Sequence, residues 1–420
     1  MFSRILYERN AVSTTLVNRS FGLQGYQYLK TEHQGSKAYF HVHDPNPQCA
    51  ACSSTNVTRD GNATRTFRLV TIGRRQAFAV LALPRLRCRA CGAKRQARIR
   101  FADPMKTYAR SFQRLVLDLL ELGTVQSVAH FLGIGWDMVK SIQKEHLRKH
   151  FAKPPLKKIT AIAIDEIYLG RTPGYRTLVL DLDTGAIVYV GKGKGADALK
   201  TFWKRLRGSG ARVAAVAMDM SRSYRAAVTK NLPNAEIVFD PFHVVKLMNE
   251  HLDELRRELW RRAAGEGKKA IKGSRWVLLK GSEHLSAEAK REGQPSERER
   301  LEAALELNKP LATAYYLKED LRMLWIFSDR GSGKGWLRTW IKEAEASGIG
   351  EMAKMAKTLR EHEEGILAYF KHRITSGPME GMNNKVRTLM KATYGLRDEE
   401  YLELRIKSLH ESELRLTGKL

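Results

Sequence analysis

The period of the hydrophobic pattern changes several times along the chain. Near the N-terminal side, Thr66-Phe67-Arg68-Leu69-Val70 and Ala77-Phe78-Ala79-Val80-Leu81 read as strands. From Tyr108 to Leu122, Phe112, Leu115, Val116, Leu119 and Leu120 recur at helical spacing. A short helix follows on Val128, Ala129 and Leu132, Gly133 permits a tight turn, and Val139 and Ile142 anchor a third helix. This is a helix-turn-helix pattern, and a plain helical hairpin shares it. Trp136, Asp137, Lys140, Gln143 and Lys144 are expected on or near the exposed side of the second, recognition helix. Lys153-Pro154-Pro155-Leu156-Lys157-Lys158 cannot continue a helix and marks a linker.

Beyond the linker the period shortens. Strands are expected over 159–168, 176–181, 186–190, 212–218 and 236–240, with a turn at Asp183-Thr184-Gly185 and helices over 197–206 and 223–231. The order β-β-β-α-β-α-β matches a ribonuclease-H-like fold. There the first and fourth strands are neighbours about 4.8 Å apart. Asp165 on the first and Asp219 after the fourth then stand side by side. Two Mg²⁺ or Mn²⁺ ions ~3.5–4 Å apart need carboxylates so arranged. Without that order, each Asp is only a strand-end turn residue or helix cap. A third carboxylate is expected on a helix beginning near Ser376 and Pro378: Glu380 shares a face with Asn383 or Asn384 and with Arg387. An ordinary capped surface helix has the same pattern.

Asp219 and Glu380 lie too far apart in sequence for a compact sheet domain. The region 250–372 has helical periodicity and no strand pattern, which predicts an all-helical insertion. Five of the seven tryptophans lie in it, Trp260, Trp276, Trp325, Trp336 and Trp340. They serve as its core, or one of them stacks on a distorted base. Gly191-Lys192-Gly193-Lys194-Gly195 and Gly331-Ser332-Gly333-Lys334-Gly335 miss the Walker spacing. Both are expected to be flexible loops, and no ATP dependence is predicted.

Composition narrows the partners. The 420 residues carry a formal charge of +28, and 43% are hydrophobic. A folded, strongly basic chain points to a polyanion, usually nucleic acid; a ribosome-like structural protein or a membrane-surface binder shares the balance. No window supplies the ~18 apolar residues of a membrane span. The first residues lack the apolar region of a secretory signal, so a cytosolic chain with reduced cysteines is expected.

All four cysteines form two C-x-x-C pairs, Cys49/Cys52 and Cys88/Cys91, the ligand set of one structural Zn²⁺. Redox thiols and disulfides are the alternatives. Arg85, Arg87, Arg89, Lys94, Arg95 and Arg98 crowd the second pair, within a stretch from Pro84 to Arg114 whose only acid is Asp103. That is a phosphate-contact footprint or a solvated basic face.

These motifs together resemble the DDE transposases of bacterial insertion sequences, in the group called the ISL-three family. The likeness rests on the ribbon cysteines, Gly135-Trp136-Asp137-Met138-Val139-Lys140, Ile164-Asp165-Glu166, Asp240-Pro241-Phe242-His243 and Glu380-Gly381-Met382-Asn383-Asn384-Lys385, and it covers nearly the whole chain. It implies a catalytic triad of Asp165, Asp219 and Glu380, with Asp240 and His243 in supporting roles. Ala163, Met138 and Leu396 depart from residues frequent in the family, and none removes a metal ligand. Leu396 precedes Arg397, which closes a Gly-x-Arg motif.

The expected architecture is a multidomain α/β chain: a zinc ribbon (1–104), a helix-turn-helix (105–152), and a ribonuclease-H-like catalytic domain (153–249 and 373–420) interrupted by the all-helical insertion (250–372). The expected function is a DNA transposase that binds terminal inverted repeats as a homodimer or larger synaptic assembly, cleaves them and transfers strands, in the bacterial cytoplasm at the nucleoid. Asn384, Lys385, Arg387 and Arg397 are expected to touch DNA beside Glu380. A DNA-binding regulator without catalysis, or a nuclease or resolvase that cuts without joining, are the rivals.

Overall fold

The computed structural model describes residues 17–288, 294–393 and 396–410. Gly395 of the Gly-x-Arg motif lies outside them. The chain divides into two compact units at His146/Leu147.

The first unit is built on one mixed sheet. Its strands are β1 (Gln27–Gln34), β2 (Lys37–His43), β3 (Val57–Ile72), β4 (Arg75–Cys88) and β5 (Lys94–Gln96), ordered β1-β2-β4-β3 with β5 on β4. The two short runs expected from sequence are the end of β3 and the start of β4, where the two strands meet at their turn. The outer halves escape detection because Val57–Thr66 is mostly polar and exposed, and its pairing with β4 makes it a strand. Along β4, Ala77, Ala79, Leu81 and Leu83 point into the core on alternate positions.

Three helices follow, α1 (Arg110–Leu120), α2 (Val125–Leu132) and α3 (Trp136–Phe151). Thr124 caps α2 by accepting from Ser127 N at 3.1 Å, and Gly133 closes it at φ +62°. Phe112, Val116, Val128, Leu132, Val139 and Ile142 form their common core. Arg68 is buried, lies over the rings of Phe78 and Phe112, and donates to Leu132 O at 3.2 Å. It ties the helices to the sheet.

The second unit centres on a five-stranded sheet, β6 (Ala161–Tyr168), β7 (Tyr175–Asp181), β8 (Ile187–Lys192), β9 (Ala215–Met218) and β10 (Glu236–Phe239), in the order β10-β9-β6-β7-β8. β10, β9 and β6 are parallel; β7 and β8 are antiparallel. The helices α4 (Lys200–Ser209) and α5 (Arg222–Asn231) carry Phe202, Trp203 and Tyr224 onto one face, against Ile162, Ile164 and Val179. Burying a ring such as Phe202 contributes about 1.5–3 kcal/mol.

From Pro241 to His372 the described chain is helical: α6 (Pro241–Arg262), α7 (Gly265–Ile271), α8 (Arg275–Leu279), α9 (Glu297–Glu306), α10 (Lys309–Arg322), α11 (Arg330–Ala346), α12 (Gly350–Glu361), α13 (Glu363–Leu367) and α14 (Tyr369–His372), with short 3₁₀ turns between. Helix α6 runs unbroken across position 250, because Asp240 caps it, Pro241 opens it and no helix breaker interrupts it. Trp340 lies in the core of this block, and Trp325 and Trp336 pack against it; Trp260 and Trp276 are exposed.

The glycine run 331–335 is not the flexible loop its composition predicts. It forms the first turns of α11, capped by Asp329, and Gly333 is buried where a Cβ would meet the Phe370 ring at 2.5 Å. Close packing, not flexibility, selects that glycine.

The chain returns to the sheet through α15 (Gly377–Ala392) and α16 (Glu399–Lys407). Met379, Val386 and Leu389 of α15 and Leu402 and Ile406 of α16 cover the second sheet face, over Ala163, Ile167, Leu178 and Leu180. Among the described residues, no helix is long and apolar enough to cross a membrane.

Candidate active site and metal centre

In the first unit the two C-x-x-C turns converge. Cys49 Sγ is 3.7 Å from Cys91 Sγ, and Cys52 Sγ is 3.6 Å from Cys88 Sγ. All four sulfurs lie within 4.8 Å of one another, and none is in a disulfide. A tetrahedral ion with ~2.3 Å metal–sulfur bonds spaces its sulfurs about 3.8 Å apart. The set therefore fits a tetrathiolate metal centre. Backbone N–H groups of Cys52 and Ala51 hold the Cys49 thiol down at about 7, while Cys52, lowered by Ser54 N–H, is pushed up to about 12 by the facing thiols and burial, so the four sulfurs share their protons unequally.

Strand β4 carries the basic cluster expected beside the second turn. Arg85 and Arg87 alternate with buried Leu86 and Cys88, and Lys94 on β5 pairs opposite Arg87. Arg85, Arg87, Arg89, Lys94, Arg95 and Arg98 are all exposed, and Arg98 donates to Ser53 Oγ at 2.7 Å. On α3, Trp136 is exposed while Lys140 and Lys144 are half-buried. Gln143 departs from expectation: it is 7% exposed, on the same inward side as Ile142.

In the second unit the parallel pairing of β6 and β9 sets Ala161 beside Ala215, Ile162 beside Val216 and Ala163 beside Ala217. Extending that register brings Asp165 level with Asp219, just past the end of β9. Glu166 N donates to Asp165 Oδ1 at 2.8 Å, and Asn383 Nδ2 donates to Oδ2 at 2.7 Å. Burial pushes the Asp165 carboxyl up, opposed by those two hydrogen bonds and the charge of His243, and reinforced by the charge of Asp219. Asp219 Oδ1 accepts from Ser221 N at 3.0 Å.

Glu380 is exposed in the first turn of α15, one turn before Asn383. The four cysteines are, among the described residues, the one group of three or more ligating side chains with donor atoms within 4.8 Å of one another. Asp165, Asp219 and Glu380 are not gathered that closely.

Asp240, for which the resemblance implies a supporting role, sits between two helix starts. It is 2% exposed, and both of its oxygens serve backbone donors: Phe242 N at the start of α6 (2.6 Å) and Ser376 N at the start of α15. It is a brace that fixes where the Glu380 helix begins. His243, half-buried, lies with Asp219, Arg222, Lys246, Thr358 and His362 around a cavity of about 380 Å³. Helix α12 thus supplies part of its wall. Asn384, Lys385, Arg387 and Arg397 are exposed, and Arg387 donates to Asn384 Oδ1 at 2.8 Å.

A family model described as a transposase, of the ISL3 DDE type, matches residues 162–406. The chain belongs to this transposase family. It is 32% identical over 335 residues to the transposase of insertion sequence element IS1001 from Bordetella parapertussis, covering 78% of this chain and 80% of that protein. It is 27% identical over 387 residues to the IS1557 transposase of Mycobacterium tuberculosis, covering 84% of each. A solved Drosophila P element transposase strand transfer complex aligns with a TM-score of 0.37 at 10% identity, over 73% of this chain and 92% of that one. Membership of the transposase family makes the chain a DNA-cleaving and strand-transferring enzyme.

Sequence left Asn383 and Asn384 as alternatives on the Glu380 face, and Asn383 is the one that meets Asp165. The signal was present in the buried stripe Met379, Met382, Val386 and Leu389, which Asn383 flanks. Tyr224, buried on α5, donates to Glu166 Oε2 at 2.9 Å. Nothing in the chain's periodicity marks that pairing.

Proposed function

We propose that this transposase cleaves and joins the ends of its element with Asp165, Asp219 and Glu380 as the acidic triad of a ribonuclease-H-like domain split by the helical block. The observation that carries the reading is the β6–β9 register, which aligns Asp165 with Asp219 at one end of the sheet. Glu380 completes the set from α15, whose next turn already reaches Asp165 through Asn383. The donors are hard oxygens, and Asn383 Oδ1 is a further buried oxygen without a hydrogen-bond partner, which fits a Mg²⁺ or Mn²⁺ pair. Held by these residues, such ions supply the Lewis-acid stabilisation of the attacked phosphate.

The chain's own groups do the positioning. Asn383 orients Asp165, Asp240 sets the start of α15, and Lys246 and Arg222 bring positive charge to the cavity that Asp219 and His243 line. No side chain forms a bond to DNA in this scheme. In the first unit, Cys49, Cys52, Cys88 and Cys91 hold one structural Zn²⁺, and the surrounding arginines contact phosphates. Helix α3 reads the terminal inverted repeats, with Trp136 foremost. Joining two ends calls for a homodimer or larger assembly at the bacterial nucleoid.

The test is a strand-transfer assay with Mg²⁺ on the terminal repeats flanking the gene, wild type against Asp219→Asn. Wild type joins and the variant does not. Equal joining by both rejects the triad, and cutting without joining by wild type favours a nuclease.

A further inference from the structure

Strand β6 carries a second constellation, on the face away from Asp165. Side chains alternate along a strand, so Asp165 and Tyr168 point to opposite faces. Asp165 meets Asn383 of α15, whereas Glu166, on the Tyr168 side, meets Tyr224 of α5. Tyr168 pairs across the β6–β7 hairpin with Tyr175. Their ring centroids are 4.9 Å apart at 45°, and they are 55% and 38% exposed. Lys194 Nζ stands 4.9 Å from the Tyr175 ring centroid.

The lysine is held there by backbone anchors on both sides. Gly193 N donates to Tyr175 O at 2.9 Å, and Thr177 Oγ1 donates to Gly193 O at 3.0 Å. Gly195 N donates to the Tyr224 hydroxyl at 2.9 Å, and that hydroxyl donates to Glu166. Gly193 and Gly195 adopt φ +88° and +86°, which suits glycine alone. The second glycine run is thus a pinned loop that presents Lys194 to an aromatic pair.

Two rigid exposed rings with a cation beside them match the two halves of a nucleotide. The rings offer a face to a base, and the ammonium offers charge to its phosphate. Only a base out of the duplex stack has a free face to offer. Tyr168 lies three residues beyond Asp165, roughly 10 Å along the strand at ~3.3 Å per residue, with its ring on the other face near the β6–β7 hairpin end.

We propose that Tyr168, Tyr175 and Lys194 form a stacking subsite for an unpaired nucleotide of the DNA strand adjoining the cleavage point. The inference rests on Asp165 marking that point. Full-length protein, without divalent ions, is titrated with two fluorescent terminal-repeat duplexes, one blunt and one with a short single-stranded overhang. Wild type binds the overhang duplex about tenfold more tightly. In Tyr168→Ala/Tyr175→Ala the ratio falls to near one while blunt-duplex affinity holds. Tyr175→Phe, which keeps the ring, preserves the ratio. No overhang preference in wild type, or an unchanged ratio in the double alanine variant, overturns the subsite. The catalytic reading is judged apart, by joining in wild type against Asp219→Asn. If only wild type joins and the overhang ratio is insensitive, the subsite alone falls. If both join equally, the triad falls, and the subsite with it.

Discussion

Asn383 Nδ2 donates to Asp165 Oδ2 at 2.7 Å, joining residues 218 positions apart. The same amide leaves Oδ1 buried without a partner. One side chain thus orients a carboxylate and holds an acceptor in reserve beside it. Removing it with Asn383→Ala should cost about 1–3 kcal/mol of stability. It should also lower joining by about 10–100-fold, as loss of an orienting partner does. Denaturant midpoints and single-turnover joining measure the two. Wild-type joining by the variant would remove Asn383 from the site.

Asp165→Asn should make the protein more stable at neutral pH while abolishing joining. Burial raises the Asp165 carboxyl, so its ionised form is a burden on the fold. That burden is absent below the ordinary aspartate value of 3.8, sets in as pH rises toward the raised value and stays in full above it. The variant lacks it, and Asn383 can turn its free Oδ1 to the new amide. The gain should be roughly 0.5–2 kcal/mol at pH 7 and vanish near pH 3. Melting curves at both pH values decide it.

Asp240→Ala leaves two backbone donors without acceptors, at the starts of α6 and α15. A loss of about 2–4 kcal/mol is expected. Asp240→Asn, which keeps one acceptor oxygen, should lose about half. Joining should fall further than stability explains, because Glu380 sits in the turn that Asp240 places. Chemical denaturation set beside joining rates separates the two effects.

Protein purified without chelators should carry one zinc per chain. Cys88→Ser should eliminate it, unfold the ribbon end of the first unit and abolish binding to terminal repeats. Elemental analysis and mobility shifts measure both. A chain free of zinc that still binds its ends would reject the metal centre.

Binding to terminal repeats should weaken steeply with salt. Replacing Arg85, Arg87 and Arg89 with alanine should lower the slope of log K against log salt by about 0.9 for each phosphate no longer neutralised. An unchanged slope would make this a solvated basic face.

The sequence displayed chemistry better than it displayed edges. The cysteine pairs, Asp165 and Asp219 were legible because spacing and strand order bring them together. Strands β3 and β4 were read only in part: the polar first half of β3 is a strand only through pairing with β4, and Pro84 and the arginines interrupt the apolar run of β4. Asp240 was legible as a residue and not as a role, since its partner Ser376 lies far along the chain. Gln143 was placed outward by helical spacing, but that cannot tell which flank of a helix is covered. The 331–335 glycines looked like a loop because composition carries no trace of the Phe370 ring that needs their space.

The long helical block between β10 and α15 also sets an order of events during synthesis. Asp165 and Asp219 emerge from the ribosome well before Glu380 and Asn383. At ~5–20 residues per second the interval is on the order of ten to thirty seconds. Throughout it, the nascent chain holds all four clustered cysteines and the sheet that carries Asp165 and Asp219. The last acid arrives only after the whole block has been made. On the proposed triad, a nascent or truncated chain would bind its element's ends before it could cut them.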